Sequence, residues 1–236
     1  MSPRTADERV RLALIETAAR LLAEEGPTAL TTRRIAAEVG TSTMAVYTHF
    51  EDMDDLRRAV RLEGFRRLAR HVGAVGRTPD PVADLAAQGW AYCFSAIENE
   101  HMFRAMFVDR LASPLDAALG IETFEVLVDS VQRCVDEGRL RSGDALARAL
   151  QIWMMTNGAL VAHLAGFITI DDVIGNVREM AWSLLMSFGD DADAARRSLE
   201  RARRRMERRM KFPSRGTRIA RAARVPNEVT IAVVKD

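Results

Sequence analysis

Twenty residues near the N-terminus, Thr31 to Phe50 (TTRRIAAEVGTSTMAVYTHF), constrain what this chain can fold into more than any other stretch. Ile35, Ala36 and Val39 recur at helical spacing and form one apolar stripe. Gly40 ends that helix, at a position where a residue without a Cβ turns left-handed at least cost. Ser42 stands where an N-cap oxygen accepts the first free amides of a following helix. Val46, Tyr47 and Phe50 are expected on the buried side of this second helix, with Thr43, Ala45, Thr48 and His49 outward. A short helix, a Gly-containing turn and a short helix with a polar outer face form the pattern of a DNA-binding helix-turn-helix. An ordinary helical hairpin would show the same spacing.

The rest of the chain reads as helical throughout. Of its 236 residues 48% are apolar and only seven are proline, with long helical patterns and few β-branched runs, so an all-α protein is expected. Thr5 to Glu8 fits a capping box, followed by the stripe Val10, Leu14, Ala18, Leu21 and Leu22 up to Gly26-Pro27. A long helix follows Asp52 through Leu56, Val60, Phe65, Leu68 and Val72. Further helical patterns start at Pro81, Asn99, Pro114, Asp144 and Asp171. Beyond Gly189 the composition turns arginine-rich; a helix to about Met210 is compatible with it, with few apolar residues to hold the segment down, and from Pro213 a loose tail is expected. The expected division is a helix-turn-helix domain (1–52), a second helical domain (53–189) and an Arg-rich extension (190–236).

Charge adds little. The formal net charge is +1, and the first 60 residues hold eight Arg against ten Asp and Glu. Any DNA affinity there must come from a few placed contacts. Cys93 and Cys134 sit in apolar helical surroundings and read as core residues. No stretch reaches the length of a membrane span and no signal peptide is apparent, so a cytoplasmic protein with no membrane partner is expected. His71, Cys93, His101, Asn157 and His163 form no group with metal-ligand spacing. There is no phosphate-cradling Gly-rich loop and no nucleophile elbow. Neither a catalytic residue, a metal nor a cofactor is therefore expected.

The N-terminal quarter resembles the DNA-binding domain of the tetracycline-repressor (TetR) family. Leu30-Thr31-Thr32-Arg33-Arg34-Ile35-Ala36, Gly40, Val46-Tyr47-Thr48-His49-Phe50 and Asp54-Asp55-Leu56 carry the resemblance. It implies a ligand-responsive regulator, a repressor that binds a palindromic operator as a homodimer and is released by a small apolar effector. Arg33 is then placed to reach guanine. Thr43, Met44 and Ala45 face base edges, Thr32, Ser42, Tyr47 and His49 hold backbone phosphates, and Thr48 belongs to the same DNA-binding surface. The Tyr47 ring is expected in the motif core. Met53 stands where the family commonly has a phosphate-binding Lys. This keeps open a second reading, a helical small-molecule-binding interaction protein that has lost specific DNA binding.

In the second domain, Trp153 and Asn157-Gly158 resemble a C-terminal type named for a Trp…His-Gly pattern, with Asn in place of His. A cavity lined by Trp90, Phe94, Met102, Phe103, Met106, Phe107, Phe124, Trp153, Met154 and Asn157 is expected. Dimer contacts are expected from Gly158, Ala159, Ala162 and Ala165 on one helix and Val177, Ala181, Leu184, Leu185 and Phe188 on the next. Leu146 and Leu150 are expected to face the core.

Overall fold

The computed structural model describes residues 3–107 and 114–209, with side chains placed over 7–107 and 120–209. Among the described residues there are ten α-helices and no strand. The loose tail expected after Pro213 lies outside them, as does the Thr5 side chain; the first helix already starts at Pro3, so Thr5 is inside it.

The first bundle consists of α1 (Pro3–Glu25), a 3-10 turn at Pro27–Ala29, α2 (Thr32–Val39), α3 (Thr43–His49) and α4 (Met53–Gly73). Leu14, Ile15, Ala18 and Leu21 of α1 meet Ile35 of α2, Val46 of α3, Phe50 and Leu56 in one core, all nearly inaccessible to solvent. Burying each of the larger side chains among them stabilises the fold by about 1.5–3 kcal/mol. This core does not stop at residue 52. Met102 and Ala105 of α6 (Glu100–Phe107) complete it.

The second bundle adds α5 (Pro81–Glu98), α7 (Pro114–Asp136), α8 (Ala145–Leu164), α9 (Ile170–Ser187) and α10 (Ala192–Arg209). Its core joins Val82 and Leu85, Val131 and Cys134, Ala149, Leu185 and Phe188, and Ala195 and Leu199. Capping defines the helix starts. Asp52, Asp80 and Asp144 each accept the amide three residues on, at 2.8, 3.0 and 3.1 Å. Such caps contribute about 1 kcal/mol each. The last of the series corrects the sequence reading, because α9 opens at Thr169 rather than Asp171, in a capping box with Asp172.

A larger correction concerns the Arg-rich segment. Ala195, Leu199, Ala202 and Met206 recur at helical spacing and are all buried. They seat α10 on α5, and arginines then fasten it. Asp84, 5% exposed, accepts from Thr78 N–H (2.6 Å), Arg133 (2.9 Å) and Arg205 (2.7 Å). Asp80 accepts from Ser198 (2.8 Å), Arg139 (3.1 Å) and Arg201 (2.6 Å). Arg205 also donates to the Val75 carbonyl, and Arg209 to that of Ala74 at 2.7 Å. The last helix thus ties the end of α4 to the start of α5. Burial pushes both carboxyls upward, but hydrogen bonds outweigh it. Those from Ala83 N–H at Asp80 and Thr78 N–H at Asp84, with the arginines, hold both below the usual carboxylate range.

Candidate nucleic-acid interface and internal cavity

The turn between α2 and α3 is built locally. Thr31 caps α2 by accepting the Arg34 amide at 3.3 Å. Gly40 follows at φ +72°, and the amides of Gly40 and Thr41 return to the carbonyls of Ala37 and Ala36 at 3.2 and 2.9 Å. That pair of bonds closes a helix end through one left-handed residue, which a side chain would strain. Ser42 then caps α3, accepting the Ala45 amide at 3.1 Å.

The outward face of α3 carries Thr43, Met44, Tyr47 and Thr48, with Met44 71% and Tyr47 55% exposed. Thr48 donates to the Met44 carbonyl at 2.9 Å. Ala45 is half-buried. Two expectations fail here. Tyr47 does not pack in the motif core; its hydroxyl lies 3.4 Å from that of Thr32, beside Met53. His49 does not face outward; its side chain is 8% exposed and directed at Asp7 of α1, 3.4 Å away. Buried there, it is not free to reach a phosphate. The two neighbouring arginines of α2 also separate. Arg34 is bound to Glu38 (2.6 Å) and Glu25 (3.0 Å), whereas exposed Arg33 makes no ion pair among the described residues. Thr32, Arg33, Ser42, Thr43, Met44 and Tyr47 therefore stand on or beside one accessible surface.

A largely apolar cavity lies between α5, α8, α9 and α10 and holds about 740 Å³ of space, counting its opening to solvent. Val82, Leu85, Ala86, Gly89, Trp90 and Cys93 line it from α5. Ile152, Met155 and Thr156 face them from α8, and Val173, Ile174, Val177, Ala181 and Leu184 from α9. Leu199 of α10 closes one side. Thr156 donates back to the Ile152 carbonyl at 2.9 Å, so its oxygen keeps acceptor capacity toward the space. Burial pushes the Cys93 and Cys134 thiols up to about 12, as suits core thiols that stay protonated.

Only Trp90 of the expected lining residues reaches this cavity. Met102, Phe103 and Met106 border a smaller space between α4, α5 and α6. Phe103, Phe107 and Trp153 gather with Tyr92, at ring distances of 5.9 Å (Tyr92–Phe103) and 6.1 Å (Phe107–Trp153). Asn157 accepts the Tyr92 hydroxyl at 3.0 Å. Phe94 lies beside His71, Phe124 packs on the second core, and Met154 is 56% exposed. The residues that make the space are small ones, Ala86, Gly89 and Ala181, and a search for large aromatic groups passes over them. Five residues expected at a dimer contact point inward instead. Val177, Ala181 and Leu184 line the cavity, and Leu185 and Phe188 are core residues. Of the α8 set, Gly158 and Ala165 are exposed and Ala159 and Ala162 half-buried. Leu146 and Leu150, expected inside, face out, while Ala149 is fully buried.

Similarity to known proteins follows the same two-part division. The family model described as "Bacterial regulatory proteins, tetR family" matches residues 14–60. A second, described as "Tetracyclin repressor-like, C-terminal domain", matches residues 85–188. Among curated proteins, none is similar enough in sequence to match. Among solved structures, a bacterial regulatory protein in the tetR family from Rhodococcus RHA1 is 22% identical with a TM-score of 0.64, over 78% of this chain and 98% of that one. The TetR family transcriptional regulator PfmR from Thermus thermophilus is 22% identical with a TM-score of 0.61, over 73% and 97%. RolR, solved in complex with resorcinol, is 19% identical with a TM-score of 0.54, over 84% and 96%. The two matched regions together span well over half the chain, on the helical fold described above, and the chain belongs to the TetR family of bacterial regulatory proteins, which are DNA-binding regulators and not enzymes.

Proposed function

We propose that this chain is an effector-released repressor that reads a palindromic operator as a homodimer. The observation that carries the reading is the continuity between cavity and recognition unit through α6. Cys93 lines the cavity and shares a core cluster with Phe103 of α6. The adjacent Met102 belongs to the core of the helix-turn-helix bundle. Met106, one turn on, presses on α4 where Gly64 leaves no room for a Cβ. A ligand that spreads α5 from α9 therefore pushes on packed groups that end at α4, the helix adjoining α3. The cavity walls suit a small, mainly apolar molecule with one donor group for Thr156. RolR was solved in complex with the ligand resorcinol.

Two substitutions separate the parts. Arg33→Ala is expected to cost roughly 1–3 kcal/mol of operator affinity and to relax preference at one base pair per half-site. Competition between single-base operator variants reads this out; an unchanged preference profile removes Arg33 from base reading. Gly89 has open space where a Cβ would project. Gly89→Leu fills the cavity, gains about 0.5–1 kcal/mol of helix stability, and should leave operator binding intact while abolishing release. Release is measured by titrating apolar aromatic compounds into the protein–operator complex. A Gly89→Leu protein that still lets go of DNA at the same concentrations places the effector elsewhere.

A further inference from the structure

Charge is divided unevenly along the chain. Residues 192–236 carry 14 Arg and Lys against 5 Asp and Glu, whereas residues 1–191 carry 20 against 28. Part of the surplus lies on α10. Arg197, Arg201, Arg204 and Arg208 follow one another at spacings of four, three and four, and all four are exposed on the outer face of α10. The eleven-residue rise between the first and last is about 16 Å, which spans about five base-pair steps of duplex. A groove bounded by Arg201, Arg205 and Arg208 runs beside them against the segment from Thr78 to Ala83.

Not every charge in this region is available. Arg205 is committed to Asp84, and Arg201 shares Asp80 with Arg139. Arg203 and Arg204 hold Glu200, and Arg203 also holds Glu207. Arg197 and Arg208 make no ion pair among the described residues. The face keeps a positive surplus after these pairings. We propose that the outer face of α10 is a second nucleic-acid contact, one that grips duplex phosphates without regard to sequence.

Its position makes it separate from the recognition surface. Arg209, at the end of α10, donates to the Ala74 carbonyl just beyond the end of α4. The recognition helix adjoins the other end of α4, about 30 Å away along its 21 residues. The two surfaces therefore serve different DNA segments, or distant parts of one bent segment. An anionic membrane is the other polyanion, but insertion needs an apolar face. Ala195, Leu199, Ala202 and Met206, the apolar side of α10, are already buried within the fold.

The test uses the full chain carrying Met44→Glu, which places a carboxylate on the recognition surface and disables it. Binding of a random-sequence duplex is measured over a salt series, with and without Arg197→Gln, Arg204→Gln and Arg208→Gln. Arg201 is left in place because it holds Asp80. The Met44→Glu protein is expected to retain salt-dependent binding. The triple replacement should lower the slope of log K against log salt by about 3 and weaken binding at least tenfold, with an unchanged circular dichroism spectrum. The proposal is overturned if the Met44→Glu protein does not bind, or if the triple replacement leaves slope and affinity as they were. It is also overturned if vesicles of anionic lipid are bound more tightly than the duplex.

Discussion

Asp84→Ala is expected to destabilise the fold by about 3–5 kcal/mol, because it removes the buried carboxylate that Arg133 and Arg205 share, leaving Arg133 only Glu137 and Arg205 no ion pair among the described residues. An exposed ion pair would contribute at most about 1 kcal/mol; the difference rests on Asp84 being 5% exposed. Urea denaturation checks the value, and Trp182 reports locally. Arg196 stacks on its ring at 4.4 Å from the start of α10, so its emission should shift when the helix undocks. The pH dependence has a definite sign. Asp80 and Asp84 titrate lower in the folded chain than unfolded. Their stabilisation is complete above the unfolded carboxylate value, near 3.9, and is lost as pH falls through the folded values. Acid should therefore release α10, and Asp84→Ala should weaken that response. A loss below 1 kcal/mol would mean that apolar packing alone seats the helix.

The second large effect is expected at α8. Leu146 (52% exposed), Leu150 (40%) and Met154 (56%) recur every fourth residue on its outer face, and Met180 of α9 is 39% exposed. Three large apolar side chains in one exposed stripe are the surface a second copy would cover, since a self-complementary patch on two helices closes a two-fold dimer. Leu150→Glu with Met154→Glu should give a folded monomer by light scattering. Operator affinity should fall about 100-fold or more, because the second half-site is then no longer held at high effective concentration. The same charge at Leu185 tests something else, the protomer's own core. A dimer that survives the double replacement moves the interface off this stripe.

The recognition unit was legible because its signals are local. Gly40 and Ser42 act on amides and carbonyls within a few residues, so spacing alone specifies their roles. Tyr47 and His49 were misjudged for a reason that spacing cannot resolve. They flank the buried Val46–Phe50 stripe on opposite sides, and a helical period does not say which flank a distant helix covers; α1 covers that of His49. On α8 the rule that large apolar groups lie inside failed. The helix buries Ala149 fully, beneath the shared core, and leaves Leu146 and Leu150 outside. The cavity was invisible for a related reason, since it is made by the small residues Gly89 and Ala181 on helices far apart in sequence. The docking of α10 was legible in the stripe from Ala195 to Met206, but the density of arginine obscured it.

Sequence-specific reading of DNA through α3 has to succeed with Met53 in place of a phosphate-binding lysine and with Asp54 and Asp55 close by. Selection by the purified chain from a pool of random duplexes, followed by sequencing of the bound fraction, tests it most directly. Enrichment of one palindrome whose half-sites lie about one helical turn apart or a multiple of it is expected, with loss of that enrichment in Met44→Glu. Recovery of unselected sequence at moderate salt would contradict it and leave a helical small-molecule-binding protein that no longer reads DNA.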